Sequence, residues 1–282
     1  MEPDSVTIDQ PGHPLAARLF RPDRPPQAVA VLNGAVGVPQ TYYRHFATWL
    51  AQARGIACLT YDYRDFGASA SGPLRQSRTS LADWAFDDQQ AARDHLAGLF
   101  PGLPLWVIGH SLGGFGLPGQ ARLEDIDRVI TVASGPVHHH DHPWPYQGLA
   151  RVLWFVAGPV LTRACGYMPG RYVGLGADLP LDVFRQWKRW CTTPGFYFED
   201  PTLEPGRLDA GALTCPLHIV ALADDDTIPP PAVQRLETLY PNAQRRFDVL
   251  DPGDFALGKV GHLAAFARRN AALWPALIDG PS

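Results

Sequence analysis

The stretch Leu105-Trp106-Val107-Ile108-Gly109-His110-Ser111-Leu112-Gly113-Gly114 decides how the chain is read. Four apolar residues, the composition of a strand buried on both faces, run straight into Gly-x-Ser-x-Gly. At the end of such a strand the motif makes a turn so tight that side chains at the two flanking positions would clash, so glycine fills both. The turn offers Ser111 Oγ as a nucleophile and sets the Leu112 amide at the start of the next helix, where it can donate to a developing oxyanion. Gly116, Pro118 and Gly119 follow closely, so that helix is expected to be short or broken.

Outward from this turn, apolar strand-like runs alternate with helical patterns, which predicts an α/β fold with a mainly parallel sheet flanked by helices. Ser5 to Ile8 and Leu15 to Pro22 read as an antiparallel pair joined through Pro11-Gly12. Strands follow at 28–32, 57–63, 105–109, 128–133, 216–223 and 245–250. Helices are predicted at 42–54, 81–99, 231–240 and 262–278. From about Gly135 to Leu213 the alternation stops, and Pro, Gly and aromatic residues dominate. The expected organisation is a core of residues 1–135 and 214–282 with a helical lid inserted at 136–213, its helical pieces near 149–164 and 180–190.

A serine hydroxyl needs a base to take its proton. Among ten histidines, His262 stands out: it follows Gly261 after the last strand, at the expected start of the last helix. A third residue must orient the imidazole. The strand before it ends in Asp224-Asp225-Asp226-Thr227-Ile228-Pro229-Pro230, which completes the nucleophile–acid–base order in which such sheets carry a triad. Composition does not separate the three acids. A second oxyanion donor belongs to the loop after strand 28–32, Asn33-Gly34-Ala35-Val36-Gly37-Val38-Pro39. We take it to be the Ala35 amide, alongside that of Leu112, with Asn33 bracing the loop.

These residues resemble the α/β-hydrolase superfamily over nearly the whole chain. In particular they are similar to a bacterial group of predicted hydrolases in the monoacylglycerol-lipase and serine-aminopeptidase-like branch. The likeness rests on the Asn33–Pro39 loop, Tyr43-Arg44-His45-Phe46, the stretch from Asp62 to Ser69, Gly109–Gly113 and Gly261-His262. Within the lid it extends to Cys165–Gly170 and Gly174–Pro180. The resemblance implies that the third residue of the Asn33-Gly34-Ala35 motif supplies the oxyanion amide. It also implies an acid in Asp-x-x-x-Pro with an aliphatic residue two after the Asp. Asp226 fits on both counts, with Asp225 as fallback. Asp65 stands where relatives usually carry Gly.

The resulting expectation is a serine hydrolase with the triad Ser111, Asp226 and His262, cleaving a carboxylic ester of a small to medium apolar substrate through an acyl-enzyme. Thioester or amide hydrolysis, acyl transfer, perhydrolysis, or ligand reception without catalysis on the same fold are the alternatives. The aromatic content of 136–213 points to an apolar substrate but singles out no binding residue. No cofactor or metal is expected. In His138-His139-His140-Asp141-His142, adjacent histidines in a loop should diverge, and no i, i+4 ligand pair is present. Asp141, after a strand, ranks below the 224–226 loop as an acid. The net charge of -4 and the absence of a basic stripe argue against nucleic acid. The uncharged stretch 152–162 falls short of the ~20 residues of a spanning helix. With no signal-like start, the four scattered cysteines are expected as free thiols and the chain as cytoplasmic.

Overall fold

In the computed structural model, which describes residues 2–281, the strands form one eight-stranded sheet in the order β1-β2-β4-β3-β5-β6-β7-β8. β1 (Asp4–Ile8), β2 (Leu15–Phe20) and β4 (Ile56–Tyr61) pair antiparallel. From β4 onward through β3 (Ala28–Asn33), β5 (Leu105–His110), β6 (Arg128–Val132), β7 (Pro216–Leu222) and β8 (Gln244–Leu250) the pairing is parallel. Every residue of β3 and β4 is buried.

Because successive strand residues point to opposite faces, β3 feeds two cores at once. Ala28, Ala30 and Leu32 pack with Phe46 and Leu50 of α1 (Arg44–Arg54) and with Trp274 and Leu277 of α7 (Trp274–Asp279). Val29 and Val31 enter the other layer, with Leu96 of α2 (Gln89–Leu99), Trp84 of the π-turn Asp83–Asp88 before it, and Val233 of α6 (Pro230–Gln234). All four cysteines are free, and burial pushes the Cys58 thiol above its ordinary value.

Between β6 and β7 lie α3 (Tyr146–Val152), a π-turn (Leu153–Ala157), α4 (Gly158–Cys165) and α5 (Leu181–Thr192). The first three run on as one helix, Tyr146–Cys165, of 20 residues, long and apolar enough by length and composition to cross a bilayer. Here it packs on α5: a Cβ at Gly158 would come within 2.3 Å of Phe184 Cζ.

One expected helix needs correction. Residues 262–278 are not one helix; short 3-10 turns at Ala264–Phe266 and Arg268–Leu273 precede α7, with Asn270 at a non-helical kink. The helix after Ser111, expected to be short or broken, is broken throughout. Ser111–Gly114 and Leu117–Gly119 form 3-10 turns, and the reason is close packing. A Cβ at Gly113 would lie 2.1 Å from Asn33 O, and one at Gly116 would lie 2.2 Å from Ala85 O. The glycines let these turns press onto the β3 loop and the Trp84 turn, which suits no regular helix.

Candidate active site

Ser111 leaves β5 with φ 53°, a left-handed conformation that L side chains rarely adopt. The strain lifts its hydroxyl out of the sheet. Ser134 Oγ donates to Ser111 O at 2.6 Å and pins the turn from β6. The turn is held from the other side by Asn33, whose side-chain amide donates to Gly113 O at 3.4 Å and whose Oδ1 accepts from Tyr61 at 2.8 Å. Asn33 thus braces the Ser111 turn rather than its own loop.

His262 Nε2 lies 3.0 Å from Ser111 Oγ, and its Nδ1 lies 2.8 Å from Asp225 Oδ2. The expected partner, Asp226, is elsewhere. Its carboxylate is 47% exposed and accepts from Lys259 Nζ at 3.0 Å. Asp225 is buried, and its second oxygen accepts from the amides of Thr227 at 2.8 Å and Ile228 at 3.0 Å. Asp224 accepts from the amides of Val260 at 2.7 Å and Gly261 at 2.9 Å. It therefore anchors the loop that carries His262. The three acids divide as loop anchor, histidine partner and surface ion pair. Neighbouring side chains on such a turn point in different directions, and the family spacing landed one residue too far.

The Ala35 amide is also not free for an oxyanion: it donates to Tyr43 Oη at 2.8 Å. Val36, one residue on, lines the same cavity as Ser111 and Leu112. The Ala35 bond begins a relay that the sequence reading missed. Tyr43 Oη meets His110 Nδ1 at 2.9 Å, and His110 Nε2 meets the carbonyl of His262 at 2.9 Å. A carbonyl only accepts, so Nε2 carries the proton and Tyr43 donates to Nδ1. Burial, then the neighbouring His262, depress the His110 pKa to about 3, which keeps it in the neutral form the relay requires. Its place as the x of Gly-x-Ser-x-Gly, at the inward end of β5, was the available signal.

Ser111 opens onto a cavity of about 380 Å³. Its walls include Val36, Leu153, Trp154, Val173, Trp187 and Ile228, and among the described residues no Asp, Glu, Lys or Arg side chain lines it. Tyr146 ties this wall to the acid loop, its Oη accepting from Thr227 Oγ at 3.1 Å. His138, His139 and His140 do not diverge as expected; their ligand nitrogens lie within 4.8 Å of one another, and His139 packs edge-on against Phe155. Burial and mutual repulsion lower the His138 pKa and bring that of His139 to about 4, so both stay neutral at ordinary pH. Asp141 pairs with Arg235. At Asp65, φ is 55°, a left-handed conformation that favours glycine. The side chain here closes the loop by accepting from Ser71, Ser77 and Thr79 at 2.7, 2.7 and 2.8 Å.

Residues 23–165, half of the chain, match the family described as serine aminopeptidase, S33. The chain belongs to the serine aminopeptidase S33 family. As an S33-family hydrolase it shares its fold with a soluble variant of monoglyceride lipase from Saccharomyces cerevisiae, solved with a substrate analogue. The identity is 15%, the TM-score 0.66, and the match covers 100% of this chain and 97% of that one. A thermostable carboxyl esterase from Bacillus coagulans is similar at 13% identity and TM-score 0.59, over 89% of this chain and 90% of that one. A serine hydrolase without a lid from Xanthomonas campestris matches at 14% identity and TM-score 0.57, over 99% and 94%. These likenesses carry the α/β-hydrolase fold of the S33-family chain.

Proposed function

We propose that this chain is a serine carboxylester hydrolase that acts on apolar acyl or alkyl groups through Ser111, His262 and Asp225. The observation that carries the reading is the continuous chain of contacts from Ser111 Oγ through His262 to Asp225, at 3.0 and 2.8 Å, at the edge of an apolar cavity. His262 Nε2 takes the Ser111 proton as Oγ attacks the ester carbonyl, and Asp225 stabilises the imidazolium that forms. The oxyanion accepts from the amides of Leu112 and Val36. The imidazolium then protonates the departing alkoxide. Water, deprotonated by His262, attacks the acyl-enzyme and frees the acid and Ser111.

The family's name mentions an aminopeptidase, yet the cavity favours an ester. A substrate with a free α-ammonium needs a carboxylate to pair with it once desolvated. Among the described residues the walls offer none, and Asp225 is committed to His262. The inserted helices act as a lid that keeps the acyl pocket apolar. The test is turnover of p-nitrophenyl esters of increasing chain length beside aminoacyl p-nitroanilides. Medium-chain esters should be hydrolysed best and Ser111→Ala should be inactive on all of them. Preferred hydrolysis of the anilides would overturn the ester assignment.

A further inference from the structure

The helix Tyr146–Cys165 has two unlike faces. Ala150, Trp154, Gly158 and Thr162 recur at every fourth position and are buried against the protein. On the opposite side Leu149, Val152, Phe155, Val156 and Val160 are between 50% and 66% exposed. A contiguous apolar surface of this kind marks a contact site. Its charge is equally one-sided. In a chain of net charge -4, the stretch from His142 to Ala177 has no Asp or Glu and carries Arg151, Arg163 and Arg171. Arg171 pairs with Asp178 at 2.9 Å, while Arg151 and Arg163 form no ion pair among the described residues.

We propose that this face docks on an anionic lipid surface, the helix lying in the plane of the interface. An interfacial helix needs an apolar face for the acyl boundary and cations for the headgroup phosphates, and both are present. Spanning is disfavoured because the opposite face is already packed on the protein and two arginines interrupt the run. A second copy of the chain fits less well, since a two-fold contact sets a patch against its own image and Arg151 and Arg163 against their like. Leu149 and Val152 belong to both the exposed face and the cavity wall, so docking brings the cavity mouth to the lipid. Docking itself does not rest on the ester-hydrolase reading; delivery of a lipid-soluble ester to Ser111 does.

The test is flotation of the full chain with vesicles of phosphatidylcholine, with and without phosphatidylglycerol, beside the double variant Val156→Glu/Val160→Glu. Neither position lines the cavity, so turnover of a soluble short-chain ester by the variant should equal that of the parent. The parent should float with phosphatidylglycerol vesicles and less with phosphatidylcholine alone. The double variant should bind roughly tenfold more weakly or worse, and Arg163→Glu should weaken binding in the same direction. Absence of flotation, equal binding to both vesicle types, an unaffected variant, or a dimer in solution split by the same two substitutions would overturn the proposal. Flotation without any ester turnover would keep the docking surface and sink the hydrolase reading alone.

Discussion

Replacing Asp225 by Asn leaves an oxygen for the Thr227 and Ile228 amides and turns an amide group toward His262 Nδ1. The imidazole is then held in the wrong tautomer, and kcat should fall by about 10³- to 10⁴-fold. Asp226→Asn removes only a surface pair with Lys259, and kcat should stay within about twofold, as exposed pairs contribute little. Asp224→Asn should lie between, because it slackens the amides of Val260 and Gly261 beside the base. Steady-state kinetics of the three variants, with melting checked for each, decides the assignment; an inactive Asp226→Asn beside an active Asp225→Asn would reverse it. At this scale the meeting of Ser111 and His262 was legible because their motifs sit at the ends of strands. The carboxylate that meets His262 was not, since three identical side chains differ only in the direction the turn gives them, and the phenolic hydroxyl of Tyr43, brought in by packing, decided the fate of the Ala35 amide.

Among the elements, the strands could be read to within a few residues because burial on both faces leaves an unbroken apolar run, as in β3 and β4. The break after Ser111 was announced by Gly116, Pro118 and Gly119, although not the close approach of Gly113 to Asn33 that demands it. The last helix was less legible, because no local pattern records its kink at Asn270. The contact of α4 with α5 gives a prediction at the same scale. Gly158→Ala places a methyl group 2.3 Å from Phe184 Cζ, an overpacking that costs about 1–3 kcal/mol. The melting temperature should drop by about 2–10 °C. Because Trp154 and Ala157 of the same helix line the cavity, KM should rise while kcat changes little. An unchanged melting curve and KM would show that this packing is slack.

Across the whole molecule, buried neutral imidazoles give the fold a pH signature. The His110 pKa is lowered to about 3 and that of His139 to about 4, with His138, His142 and His218 shifted the same way by burial. In the unfolded chain these groups titrate near ~6.5, so below that value the unfolded state binds more protons than the folded one. Their contribution is complete above about pH 6.5 and is lost as pH falls from there toward about 3, the His110 value. Melting temperature should therefore decline over that window, and less steeply for His110→Asn. The central claim is that Ser111 is the nucleophile of a His262–Asp225 dyad, and covalent labelling tests it most directly. The purified chain is treated with a fluorophosphonate and analysed by intact mass and peptide mapping. A single adduct on Ser111, absent from Ser111→Ala and strongly slowed in Asp225→Asn, is the expected result; an adduct on another residue, or labelling of Ser111→Ala at the parent rate, would contradict it.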